Sequence, residues 1–281
     1  MATVRTRRQK LGQHFLHDQR SAAAIVAALA AKPPRVLEIG PGRGALTRLL
    51  VERFEQVRAI ELDGALAAML PRRLGTPASL EVQHADALTV DLDCAAAGGP
   101  WQVAANLPYS VGTPILRRLL PRHDLFSRLV VMVQLEVAQR LVAPPAGANR
   151  GLLTLEAEAC ADATLLFTVP PRCFQPPPRV TSAVVRLVLH APPAPARELD
   201  RGLELAGIAF THRRKQLANA LAEAEKAVVI ARALAEAAIA PGARPQDVSM
   251  GEWLALARAW PGELAPGALA FPTSEHVEVG G

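Results

Sequence analysis

The sequence predicts an α/β protein: a doubly wound, mostly parallel sheet with an antiparallel pair at one edge, followed by a small helical domain. Three observations carry that reading. From residue 35 onward, short apolar runs alternate with helical stretches, as parallel strands joined by crossover helices require. Over residues 163–189 the alternation gives way to two β-rich runs separated by PPRCFQPPPR. Beyond the proline-rich APPAPA (191–196), apolar residues recur at helical spacing.

In chain order, RVLEIG reads as a buried strand and PGRG as a turn. ALTRLLVERF reads as a helix with Leu46, Leu49, Leu50 and Phe54 on one face. VRAIEL is a second strand with a helix near GALAAML, LEVQHA a third, WQVAAN a fourth and RLVVMVQ a fifth, with LEVAQRLV helical after it. TLLFTV and VTSAVVRLVL supply the antiparallel edge pair. Further on, ELAGIAFTHRRKQLANALAEA reads as helical, with Phe210, Leu217 and Leu221 at helical spacing. The expected organisation is a first domain over residues 1–190 with a basic N-terminal arm, a linker over 191–197, and a helical domain over 198–281. The last dozen residues lack periodicity and are expected to be mobile.

A chain of 281 residues, 50% of them hydrophobic, buries a full core and is not a disordered tail. The opening MATVRTRRQK leads into LGQHFL and not into a long apolar run, so neither a secretory signal nor a membrane association is expected. Cys94, Cys160 and Cys173 are odd in number, far apart and without a CxxC. No disulfide framework and no metal site are expected, and a reducing cytoplasm fits. The formal net charge of +5 is modest, but its distribution is uneven. Arg5, Arg7, Arg8 and Lys10 crowd the N-terminus, and His212, Arg213, Arg214 and Lys215 form a second cluster. Clustered cations attract phosphate backbones, although a solvated face accounts for either cluster taken singly.

Ligands of open α/β sheets bind outside the carboxyl ends of the strands. Here the first such end carries Gly40-Pro41-Gly42-Arg43-Gly44. The dinucleotide pattern wants its third glycine at position 45, which is Ala45, so a smaller nucleoside suits this turn better than a pyrophosphate. Glu61 ends the second strand, where a carboxylate takes ribose hydroxyls as donors. Asp86 follows the third strand, where it either accepts from an adenine amine or closes an Asx turn. Together these ends lay out a site for adenosine with a charged, non-phosphate tail, as in S-adenosylmethionine.

The fourth strand ends in ANLPYSVGTP, which holds the chain's one tyrosine, Tyr109. A turn explains the asparagine and proline equally well, but the position beside the proposed methyl donor favours chemistry. An exocyclic aryl amine is a poor nucleophile because its lone pair is delocalised into the ring. The Asn106 carboxamide oxygen and a main-chain carbonyl at Leu107 or Pro108 would accept its N–H groups and stabilise positive charge developing on nitrogen. Tyr109 would stack on the base.

These segments resemble the ribosomal RNA adenine dimethyltransferase family, and specifically its small-subunit branch. The resemblance runs from about residue 8 to 260 and rests on RQKLGQHFL, VLEIGPGRGALT, AIELD, HADAL, ANLPYSVGTPI, FQPPPRVTSAVVRL and AFTHRRKQLANAL. It implies a Rossmann-like methyltransferase domain, a small helical domain and two methyl transfers to N6 of each of two adjacent adenines of 16S ribosomal RNA in the small subunit. The activity belongs to small-subunit biogenesis, and a monomer is the default. S-adenosylmethionine would be the donor, leaving S-adenosylhomocysteine. By the same resemblance His14 and Leu16 contact the donor's methionine part, and Gly40 and Gly42 pass its tail. Glu61, with Leu62 beside it, holds the ribose, and Asp86 with Ala87 faces the adenine. Asn106 touches both donor and target amine, and Phe174 closes over the base opposite Tyr109. Arg7, Arg8, Lys10, Arg213, Arg214 and Lys215 are the expected RNA contacts. Three positions depart from the family's habit: His14 where asparagine is frequent, Leu135 where lysine is common, and Arg150 where tyrosine is common. The rivals are a large-subunit dimethyltransferase, a non-catalytic RNA-binding assembly factor, and a DNA adenine methyltransferase, the last disfavoured because no extra target-recognition domain is visible.

Overall fold

The computed structural model describes residues 13–262; the cations Arg7, Arg8 and Lys10 and the expected mobile tail lie outside them. The chain divides into two compact units, one running through Ala138 and resuming over Asp162–Leu189, the other taking Gln139–Ala161 and the chain from His190 on. Residues 139–161, placed with the first domain on sequence grounds, thus group with the second unit.

Nine strands occur among the described residues: β1 (Phe15–Leu16), β2 (Arg35–Ile39), β3 (Gln56–Glu61), β4 (Leu80–His84), β5 (Trp101–Asn106), β6 (Phe126–Gln134), β7 (Ala161–Val169), β8 (Phe174–Gln175) and β9 (Ser182–Leu189). Seven form one sheet in the order β4-β3-β2-β5-β6-β9-β7. The pairs from β4 to β6 are parallel, and β9 runs antiparallel to β6. The chain passes from β2 outward to β3 on one side and later returns to β5 on the other, which makes the β2/β5 boundary the point where strand order reverses. Ligand crevices of doubly wound sheets open at that point. Register does the rest. Ile39 pairs with Ile60 and with Ala105, so the residues that follow them, Gly40, Glu61 and Asn106, stand level.

The helix Thr47–Arg53 lies on the sheet through Leu46, Leu50 and Phe54, all buried, at the four-residue spacing of a core-facing stripe. Helix Gly64–Arg73 starts where the Asp63 carboxylate accepts from the Ala65 and Leu66 amides, a side-chain cap of the kind that satisfies orphan N–H groups. The two-stranded sheet of β1 and β8 went unforeseen. It pairs Phe15 with Gln175 and Leu16 with Phe174, and two residues are too few to show a period.

The second unit holds the helices Leu152–Glu158, Ala196–Thr211, Leu217–Ala220, Ala227–Glu236 and Met250–Ala259. The helix through HRRKQ, expected to be unbroken, is interrupted: it ends at Thr211, and a new one starts at Leu217. Four consecutive basic residues repel at helical spacing and offer no apolar side chain to hold that turn on a core. The same unit explains one departure from the family. The Arg150 side chain is fully buried, and its guanidinium donates to both Glu158 carboxylate oxygens at 2.6 and 2.9 Å and to the carbonyls of Ala143 and Val248. Its hydrogen bonds are all internal to this unit. No helix among the described residues is long and apolar enough to cross a membrane.

Removing one partner of a buried ion pair strands the other, at a cost of several kcal/mol. Glu158 keeps about a third of its side chain exposed and recovers part of that from water, so Arg150→Met should destabilise the protein by about 2–4 kcal/mol in urea unfolding. A loss under about 1 kcal/mol would show that the four hydrogen bonds add little.

Candidate active site

A cavity of about 260 Å³ opens beyond the carboxyl ends of β2, β3, β4 and β5. Its wall brings together Gly40 and Gly42, Glu61 and Leu62, Asp86 and Ala87, and the run from Asn106 to Tyr109, with His14 and Leu16 entering from the β1 segment. Residues spread over almost a hundred positions therefore converge on one space.

Two glycines of the first turn have separate jobs. Gly42 has φ +56°, and a Cβ there would meet the Phe15 ring at 3.0 Å. Gly44 has φ +83°, and a Cβ would come within 2.7 Å of Leu70. The third glycine serves helix packing and not a ligand, which is why its spacing departs from the dinucleotide pattern. Glu61 is buried; its two oxygens accept from the Gly42 and Asp63 amides, each at 2.9 Å. A carboxylate offers about four lone-pair sites, so Glu61 braces the turn and still has acceptor capacity toward the cavity. Leu62 leaves 47% of its surface exposed in that wall, an apolar face for a flat ring. Asp86 closes the Asx turn onto the Leu88 amide at 2.8 Å while also lining the cavity. Arg118 grips the same loop, donating to the carbonyls of Ala87 and Val90 at 2.6 and 2.7 Å.

At the end of β5, the Asn106 amide nitrogen donates to the His14 carbonyl at 3.1 Å. A carbonyl accepts only from the nitrogen end of a carboxamide, so the Asn106 oxygen points away from it and takes no hydrogen bond from the described residues. The Pro108 carbonyl already accepts the Val111 amide at 3.2 Å; of the two carbonyls considered, that of Leu107 is the less committed. Tyr109 stands against His14 with ring centroids 5.5 Å apart and planes inclined by 30°. Its hydroxyl meets the Ser182 hydroxyl at 2.6 Å, and burial pushes its pKa above the usual phenol range.

Phe174 requires correction. It is only 3% exposed, pairs with Leu16 across the two-stranded sheet, packs in the core cluster with Met132 and Val184, and does not line the cavity. A ring so placed has no face to offer a base; its burial is that of an ordinary core aromatic.

The family model for ribosomal RNA adenine dimethylase matches residues 4–260. The chain belongs to this family. It is 41% identical over 253 residues to the ribosomal RNA small subunit methyltransferase A of Alcanivorax borkumensis, covering 89% of each chain. To the protein of the same name from Synechococcus sp. RCC307 it is 40% identical, covering 90% of this chain and 95% of the relative. Among solved structures, the 23S ribosomal RNA methyltransferase ErmE superposes with a TM-score of 0.69 at 27% identity, over 87% of this chain and 98% of that one. A Plasmodium falciparum dimethyladenosine transferase shares the fold, with a TM-score of 0.70 at 23% identity, over 86% and 96%.

Within this dimethylase, two polar groups escaped the sequence reading. Gln13 Oε1 and Glu38 Oε2 are buried in the cavity wall without a hydrogen-bond partner among the described residues. Glu38 carried a signal, since a carboxylate inside the apolar strand RVLEIG needs a reason; Gln13 carried none. The second basic cluster also divides. Arg213 is half-buried and donates to the carbonyls of Gly147 and Ala148, whereas Arg214 and Lys215 are exposed.

Burial pushes the Glu38 carboxyl from 4.5 up to about 8, assisted by the charge of Glu61 and opposed by Thr47, whose hydroxyl itself closes no full hydrogen bond. A carboxyl whose folded pKa is raised holds its proton in the folded chain after the unfolded chain has lost it. Its contribution to stability is therefore intact below about 4.5 and is lost as pH rises toward about 8. Thermal melts of the ligand-free enzyme across that window should fall with pH, and Glu38→Gln should remove a component on the order of 2–4 kcal/mol. Parallel profiles for the two proteins would mean that the carboxyl titrates normally.

Proposed function

We propose that this chain transfers methyl groups from S-adenosylmethionine to N6 of two adjacent adenines of small-subunit ribosomal RNA, two to each, as a step of small-subunit assembly. The observation that carries the chemistry is the Asn106 carboxamide in the cavity wall, its nitrogen end held by the His14 carbonyl, which leaves the oxygen end for an amine. The donor's sulfonium supplies an electrophilic methyl group.

The chain's own groups fit that donor. Gln13 Oε1 and Glu38 Oε2 are orphaned acceptors, and Glu61 has lone pairs to spare. Such a wall matches a ligand that brings hydroxyl and ammonium donors with net positive charge, and it repels phosphate. Leu62 and the Asp86-Ala87 loop supply one apolar face and one acceptor edge for the adenine. On the other side, Asn106 Oδ1 and the Leu107 carbonyl accept from the target amine. They pull its lone pair out of conjugation and stabilise the charge that grows on nitrogen, at no reorganisation cost because both dipoles are already held. No strong base is needed: the methylated ammonium is acidic and surrenders its proton to solvent.

The small subunit as target rests on relatives of that name at 40–41% identity, against 27% for the 23S methyltransferase. Free cysteines at Cys94, Cys160 and Cys173 fit a reducing cytoplasm.

Labelled S-adenosylmethionine with undermethylated small subunits should yield dimethyladenosine on nucleoside analysis, and isolated large subunits should not; the reverse result would move the target. Asn106→Ala should lower methyl transfer at least about 100-fold, with cofactor affinity changed far less, and near-wild-type turnover would remove the carboxamide from the chemistry. Arg214→Glu and Lys215→Glu should weaken subunit binding and reduce the slope of log K against log salt by about one for each phosphate no longer neutralised. An unchanged salt titration would make these two side chains a solvated face.

A further inference from the structure

We infer that Ser182 is a positioning residue for methyl transfer, acting through the Tyr109 hydroxyl to hold the base platform in one orientation. The inference rests on the reading of Tyr109 as that platform. An aromatic ring on a loop turns about its side-chain bonds, and a stacking surface adds to rate only if its plane is set before the base arrives. Tyr109 lies just past the end of β5, where the strand no longer constrains it. Two contacts replace that constraint. The His14 imidazole lies along one face of the ring, and the phenol oxygen is joined to Ser182 Oγ at 2.6 Å.

Ser182 is a suitable post. It is fully buried, opens β9, and pairs with Gln134 of β6, so the sheet fixes the backbone that carries its hydroxyl. A hydroxyl in that apolar setting, beside buried Ala183 and Val184, is costly without a partner, and its partner is the phenol. His14 is fixed from the same stretch of chain: its Nδ1 donates to the Pro176 carbonyl at 2.8 Å. The segment FQPPPRVTS, expected to close over the base through Phe174, instead holds both rings from behind. With His14 along one face of Tyr109, the face left for an incoming base is the opposite one.

The test is a double-mutant cycle on small-subunit methylation under saturating donor, with cofactor affinity by calorimetry and thermal melts in parallel. Ser182→Ala and Tyr109→Phe should each lower kcat about tenfold, and the double variant should match the worse single one within about twofold, because all three break the same bond. Cofactor Kd should stay within about twofold of wild type throughout. A merely structural hydroxyl pair would lower the melting temperature while leaving the folded enzyme's kcat intact, which would overturn the inference; so would losses that multiply to about a hundredfold in the double variant. If Ser182→Ala does not fold, Tyr109→Phe cuts the bond from its other end, and full kcat in that variant alone is refutation. Tyr109→Ala separates the two layers. Inactive Tyr109→Ala beside fully active Tyr109→Phe and Ser182→Ala sinks only the pin, whereas full activity of Tyr109→Ala sinks the platform reading itself.

Discussion

The hydrogen bond from the Asn106 amide to the His14 carbonyl decides which end of a carboxamide faces the cavity. A carboxamide is nearly symmetric in shape and opposite in polarity at its two ends; turned over, it would present a donor to a donor and repel an amine. Two strand pairings bring the Asn106 amide nitrogen and the His14 carbonyl to 3.1 Å. β5 must run parallel and in register with β2 and β6 to deliver Asn106, and β1 must find β8 to deliver His14.

The cavity wall holds two kinds of polar group. The Glu61 carboxylate, the buried Glu38 carboxyl and the Gln13 side-chain oxygen line it together with a neutral amide, a peptide carbonyl and aromatic rings. Burial keeps Glu38 protonated more readily than its chemistry alone would; its pKa of about 8 reflects chiefly the cost of taking its charge out of water, to which the nearby charge of Glu61 adds. A ligand carrying positive charge would relieve that cost.

Much of this is legible in the sequence. Strand ends in a parallel sheet line up, so glycines, Glu61, Asp86 and Asn106 at four successive ends announce a pocket. What resists reading are contacts that depend on distant pairing. The partner of His14 lies 162 residues away, and Ser182 sits in an apolar run where its one hydroxyl looks incidental. The expectation for Phe174 comes from the resemblance and not from the residue's own surroundings; its pairing with Leu16 and its burial make it a core aromatic. The helix break at HRRKQ is readable from charge crowding alone, yet the flanking apolar spacing conceals it. Arg150 has no interpretation at all without Glu158 and the carbonyls it satisfies.

The pairing of β1 with β8 has a consequence for biosynthesis. A polypeptide emerging from its N-terminus delivers the His14 segment first, and that segment has nothing to pair with until Phe174 and Gln175 have been made. The four parallel strand ends can assemble in the meantime, but the β1 segment that lines the cavity stays unpaired. A chain that stops before Phe174 would also lack β9, the strand that joins β7 to β6, so its sheet as well as its cavity wall would be incomplete.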